Sequence, residues 1–199
     1  VLEVMRQPLE DREVTISRAK FTVSYPSSFM LVASMNPSPS GYFANEKGMS
    51  QSSAQEMSRY LNKISGPLLD RIDLHIEVNP VPFEKLSEKA SSEKSESIRS
   101  RVVAARRIQS ARYEKYKGVH YNAQITTKLL NVYCELDEAS LKLLQTAMDK
   151  LNLSARAYDR ILKVARTIAD LEATEKIKPQ HIAEAIQYRS LDRDLWTNS

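Results

Sequence analysis

Cysteine occurs once in 199 residues, at Cys134, which excludes an internal disulfide framework and suits a reducing cytosol. The three histidines, His75, His120 and His181, lie far apart with no second thiol nearby, so no zinc-ligand spacing exists. Glycine is scarce: none of Gly41, Gly48, Gly66 and Gly118 opens a G-x-x-x-x-G-K-[ST] pattern, so the chain carries no loop to cradle a triphosphate. No Ser/His/Asp spacing suggests a nucleophile, and Cys134 lies in an apolar helical context that favours an inert thiol. The longest apolar run, Phe29 to Ser34, is far too short to span a bilayer, and nothing at the N-terminus resembles a signal peptide. A cytoplasmic location follows as the expectation. Basic excess is slight as well: 29 Lys+Arg against 25 Asp+Glu leave +4, which alone does not mark a nucleic-acid binder. With 42% hydrophobic and 27% charged residues, the composition is that of an ordinary globular protein. The chain opens on Val1, not Met, directly into an amphipathic stretch, and reads as a fragment of a longer protein.

What is present falls into two parts. Val1, Leu2, Met5 and Leu9 have helical spacing, which predicts a helix ending near Glu10. Glu13–Arg18 and Phe21–Tyr25 alternate like paired strands, with Arg18, Ala19 and Lys20 as a basic hairpin tip. Phe29–Met35 reads as a strand covered on both faces, ending at Asn36-Pro37. Residues 37–53 form a long loop rich in Pro, Ser, Gly and Asn, and 54–64 a helix broken by Gly66-Pro67. Ile72, Leu74, Ile76 and Val78 then alternate with Asp73, His75 and Glu77 as a second strand. Beyond a Ser/Glu/Lys-rich linker the remainder is helical. One stripe holds Ile98, Val102, Ala105 and Ile108, and a second holds Leu141, Leu144, Ala147 and Met148 behind an Asp137 cap. A third holds Tyr158, Ile161, Leu162, Ala165, Ile168 and Ala169 behind a Ser154 cap, and the last begins at Pro179. The expected boundaries are 1–83 for a β-containing part, 84–97 for the linker and 98–199 for a helical bundle.

Four features carry possible chemistry, each with a plainer alternative. Asn36 stands where a strand emerges into a loop and offers both donor and acceptor to a water or phosphate; Asn-Pro is equally a turn signal. Arg71, between Asp70 and Asp73, reaches toward a phosphate or pairs with those carboxylates. Arg156 lies in a helix first turn, where a cation opposes the helix dipole and an anionic partner would relieve it. From Arg99 to Lys117 seven basic residues face one acidic residue, Glu114, with Tyr113 and Tyr116 interleaved. Such a stripe, Arg106 at its middle, follows a phosphate backbone or is simply a solvated face.

Taken in order, Tyr25 to Pro37, Arg59 to Leu74, Leu153-Ser154-Ala155-Arg156-Ala157-Tyr158 and Lys163 to Asp170 closely resemble the magnesium-chelatase-like AAA+ ATPases of the ComM/YifB competence-protein branch. The resemblance covers almost the whole chain. It implies an α+β fragment of an AAA+ module: a partial α/β P-loop domain, with the β-hairpin and two core strands, followed by an all-α helical lid. In that family the Walker A and B segments precede the opening helix, which accounts for the missing phosphate loop. By position, Asn36 matches the sensor-1 residue that orients the attacking water, and Arg71 the arginine finger acting on ATP bound by a neighbouring subunit. Arg156 matches the sensor-2 arginine of the lid. Arg18 and Lys20 fall on the hairpin that points into the ring channel toward DNA.

The resemblance further implies a homo-oligomeric ring, hexameric in kind, that uses ATP and Mg2+ when full length and acts on DNA as a helicase in branch migration. This fragment alone is expected neither to bind ATP tightly nor to hydrolyse it. Where many relatives carry Cys-Pro-Cys, this chain reads Ser38-Pro39-Ser40, so no metal site is expected. Two rivals stand beside this reading: a chelatase-type motor remodelling a protein partner during metal insertion, and a non-enzymatic helical binding module.

Overall fold

The computed structural model describes residues 2–36, 59, 63–78 and 93–189. The expected loop at 37–53, most of the helix at 54–64 and most of the linker at 84–97 lie outside the described residues. Two compact units divide the chain, Val1–Ile72 and Asp73–Ser199.

In the first unit a 3-10 turn, Leu2–Met5, leads into α1 (Arg6–Asp11). Pro8 is its buried residue and sits in the first turn, where a missing N–H costs no helical hydrogen bond. The helix stops at Arg12, whose left-handed φ of 58° turns its N–H back onto the Pro8 carbonyl at 3.2 Å. The chain then enters β1 (Glu13–Arg18) and returns in β2 (Phe21–Pro26) through the two-residue turn Ala19-Lys20. Register pairs Glu13 with Pro26 and Arg18 with Phe21. Opposed residues share a face, so Thr15–Ser24 (2.9 Å) and Ser17–Thr22 (3.0 Å) form a hydroxyl ladder on one side. Val14, Ile16, Arg18, Phe21, Val23 and Tyr25 occupy the other. Further on, Gly66-Pro67 opens a new helical turn, α2 (Gly66–Leu69). Ser65 caps it by accepting the Leu68 N–H at 3.3 Å, and Pro67 takes a first-turn position.

A partial α/β region followed by a helical bundle is what the sequence predicts at the level of fold class, but two elements differ. Residues 29–35 and 74–78 form no strand, and the hairpin is the sheet among the described residues. Met30, Val32, Ile76 and Val78 are all at least 68% exposed. Apolar alternation encodes readiness to be covered, while a ladder also needs a neighbouring strand, and none is present among the described residues. In the second segment the expected inward face is inverted. Leu74 and Ile76 are exposed while His75 is buried, its backbone N–H donating to the Tyr188 carbonyl at 2.8 Å.

The second unit comprises α3 (Ser95–Tyr113), a 3-10 turn at Asn122–Gln124, α4 (Thr127–Tyr133), α5 (Glu138–Leu151), α6 (Ala155–Leu171) and α7 (Pro179–Gln187). Helix α6 is the centre. Its Ile161, Leu162, Ala165, Ile168 and Ala169 are buried against Leu144 of α5, Ile182 and Ile186 of α7, and Leu129 and Leu130 of α4. Two stripes read from the sequence shift. On α3 the inward positions are Ala105, Gln109 and Tyr113, while Ile98 and Val102 are exposed; on α5, Leu141 is exposed and Leu144 buried.

Caps fall where the sequence places them: Asp137 accepts the Ser140 N–H at 2.7 Å and Ser154 the Ala157 N–H at 3.2 Å. At the start of α7, His181 Nδ1 accepts the Lys178 N–H at 3.0 Å. Its Nε2 is therefore the protonated nitrogen and donates to Glu172 at 2.9 Å. That bond from His181 holds the Glu172 carboxyl below its ordinary 4.5, and the bonds from Ser140 hold Asp137 below 3.8. A depressed carboxyl adds stability above its ordinary value and loses it as pH falls through its native value. The melting temperature should therefore fall as pH drops below these ordinary values. A double Asp137→Asn, Glu172→Gln variant should melt lower at neutral pH and decline less in acid, as thermal melts across pH would show.

Candidate functional site

In the first unit, Arg71 lies just beyond α2, four residues after Pro67. That spacing folds its guanidinium back so that Nη1 donates to the Pro67 carbonyl at 2.6 Å. Nη2 meets the Glu10 carboxylate of α1. The Arg71 side chain is 11% exposed and that of Glu10 41%, so the pair is open to solvent through its carboxylate. The sequence suggests Asp70 or Asp73 as partner. The guanidinium instead takes a carboxylate 61 residues away, and Asp73 pairs with Arg160. The α1–α2 pairing is reinforced by Arg6, which donates to the Ser65 cap at 2.7 Å. Asn36 is exposed at the end of the 29–36 segment. Arg18 and Lys20 flank the hairpin turn and are exposed.

In the second unit, Arg156 is the second residue of α6, one position inside the first turn behind the Ser154 cap, and is exposed. The basic stripe on α3 is narrower than the sequence suggests. Arg112 turns inward and is 13% exposed, and Arg101 pairs with Glu93 at 2.9 Å. Tyr113 is buried and Tyr116 half-buried, both packed edge-to-face on Tyr133, so neither ring is presented to a ligand. Arg99, Arg106, Arg107, Lys115 and Lys117 remain exposed. Arg106 is supported by a ring the sequence reading passed over, its guanidinium 4.6 Å from the centre of Tyr121.

Arg112 turns inward because of Asp170, whose carboxylate is fully buried on α6. Arg112 donates to both Asp170 oxygens (2.8 and 2.5 Å), Arg166 Nε to Oδ1 (3.2 Å) and Asn122 Nδ2 to Oδ2 (2.8 Å). Asn122 Oδ1 accepts from Tyr113 at 2.8 Å, its backbone N–H donates to Gln109, and Arg166 also donates to the carbonyls of Thr174 and Glu175. Burial draws the Arg112 guanidinium down, but hydrogen bonding and charge attraction from Asp170 outweigh it and raise it. For Arg166 burial wins and the shift is downward, in a group that stays charged throughout the aqueous range. Burial pushes Tyr113 up to about 12 and the Cys134 thiol likewise to about 12, so Cys134 is no nucleophile near neutral pH. The signal for this network is Arg166 and Asp170 at i, i+4 within the apolar stripe of α6.

Comparison with known proteins agrees with this architecture. Residues 1–86 match the family described as Magnesium chelatase, subunit ChlI, and residues 92–189 the family described as Magnesium chelatase, subunit ChlI C-terminal. The chain belongs to the magnesium-chelatase-like AAA+ family, in its ComM/YifB branch. Competence protein ComM of Haemophilus influenzae is 43% identical over 97% of the chain and 37% of its own length. The uncharacterized protein YifB is 39% identical in Salmonella typhimurium, over 96% of the chain, and 38% identical in Escherichia coli, also over 96%; both matches span 37% of the relative's length. The chain thus spans 37% of the length of the curated relatives it matches. Among the described residues no helix is long and apolar enough to cross a membrane.

Proposed function

We propose that the chain is the C-terminal part of a ring-forming ATPase that couples ATP hydrolysis to DNA remodelling. The observation that carries this reading is the 43% identity to a competence protein along almost the whole chain. Asn36 would orient the attacking water, Arg71 would stabilise charge on the phosphoryl group of a neighbour's ATP, and Arg156 would touch nucleotide from the lid. The two arginines suit a triphosphate. Arg156 is exposed at a helix N-terminus, and Arg71 already grips a carboxylate that an anionic phosphate can replace. In this reading the phosphate loop and the Mg2+ ligands lie in the part of the relatives' length that this chain does not span, so purified alone it should hydrolyse no ATP. Bound there, ATP and Mg2+ would supply the transferable phosphoryl group and its charge neutralisation.

Arg18, Lys20 and Arg106 are the proposed DNA contacts. Binding of the full-length protein to DNA should be salt-sensitive, and Lys20→Ala or Arg106→Ala should each reduce the slope of log K against log salt by about 0.9. Fluorescence anisotropy across a salt series measures this. No binding at low salt would favour the rival that the matched family's name suggests, a motor acting on a protein partner in metal insertion.

A further inference from the structure

We propose that Phe21 is a base-stacking residue, making the hairpin a reader of unpaired nucleobases as well as a phosphate contact. This deepens the DNA reading above and rests on it. Phe21 is the first residue after the turn and 58% exposed, on the same face as Ile16 (48%) and Tyr25 (53%), so the rings form part of a continuous exposed apolar strip. Its cross-strand partner is Arg18, on the same face, and Lys20 precedes it in the chain. The ring therefore has a cation across the ladder and another one residue before it in the turn. From Val14 to Pro26 there is no carboxylate, so nothing on the hairpin repels a polyanion.

The face continues with Tyr25, 53% exposed and four residues along the strand, which places the second ring ~14 Å from the first. Aromatic rings at intervals, with cations beside them, are what a flexible single strand needs. Bases stack on the rings while phosphates meet the guanidinium and ammonium groups. A duplex keeps its bases stacked on each other and offers such a ring nothing but its ends. The opposite face, the Thr15, Ser17, Thr22 and Ser24 ladder, is satisfied by its own hydroxyl bonds. The ligand-facing side is therefore the aromatic one. This occupant fits better than a protein partner because the apolar strip is narrow and ends in positive charge at the tip.

The test uses the full-length protein without ATP, a labelled oligothymidine of about 20 nucleotides, and a blunt duplex of equal length. Phe21→Ala should weaken single-strand binding by about tenfold, change duplex binding little, and leave the salt slope as in wild type. Phe21→Trp should retain single-strand affinity. A 2-aminopurine in the single strand should report stacking, through altered fluorescence, with wild type and Phe21→Trp but not with Phe21→Ala. Unchanged single-strand affinity in Phe21→Ala would overturn the proposal. So would equal losses on single strand and duplex in both variants, the result expected if the ring packs against protein. Because the assay contains no ATP, failure of the proposed ATPase chemistry leaves its result unchanged; wild type that binds neither DNA would overturn the DNA reading itself, whereas wild-type binding that Phe21→Ala leaves intact overturns the stacking proposal alone.

Discussion

Replacing Arg71 by alanine in the full-length protein should lower ATP turnover by about 10³–10⁵-fold, with nucleotide affinity changed far less. The size follows from the role: a cation aimed at charge that develops only in the transition state contributes to the chemical step and little to ground-state binding. The Glu10 pair is the resting partner in this view. A partly exposed arginine–carboxylate pair is weak enough to open when a more highly charged anion is presented. Arg71→Lys is the informative companion. An ammonium keeps an ion pair with Glu10 and the α1–α2 connection but lacks the planar fork, so turnover should stay low while the melting temperature is largely kept. Steady-state ATPase assays beside thermal melts separate the two effects.

The second large effect is on stability. Asp170→Ala should destabilise the helical unit by about 3–5 kcal/mol, because it leaves two inward-turned guanidinium groups, Arg112 and Arg166, without their shared counter-charge. The side chains of Arg112, Arg166 and Asp170 are 13%, 3% and 0% exposed, so water cannot replace the lost bonds. For a unit spanning Asp73–Ser199 that corresponds to a fall in melting temperature of ~10 °C or more. Arg112→Met should cost less, since Asp170 keeps Arg166 and Asn122 as donors. Circular dichroism melts decide it; a fall of only ~2 °C for Asp170→Ala would mean the network adds little.

The legible parts of the fold are those specified by residues near one another in sequence. The caps at Asp137 and Ser154, Pro179 opening α7, the apolar stripe of α6 and the hairpin closed by Ala19-Lys20 all depend on partners within a few positions. What was hidden depends on distant partners. Arg112 reads as one more cation on a basic face until Asp170, 58 residues on, is brought beneath it. Gln109 lies outside the Ile98, Val102, Ala105, Ile108 stripe, yet it is 3% exposed, its side chain accepting the Asn122 N–H. Residues 29–35 and 74–78 have strand patterning without a strand neighbour among the described residues. Of the proposed site, Arg71 and Arg156 are singled out by motif order alone. The partner of Arg71, Glu10, comes only from the packing of α2 against the start of the chain.

The central claim is that Arg71 serves a nucleotide held by the next copy; Arg156, on the lid, is taken to serve the nucleotide of its own subunit. Mixing equal amounts of inactive full-length Arg71→Ala and Arg156→Ala proteins, then measuring ATP turnover, tests this directly. In randomly mixed rings about a quarter of the interfaces join an intact Arg156 to an intact Arg71 from the neighbour, so turnover should return toward that fraction of wild type. If the mixture stays as inactive as its components although the subunits co-assemble, both arginines reach a given nucleotide from the same subunit and the account is contradicted.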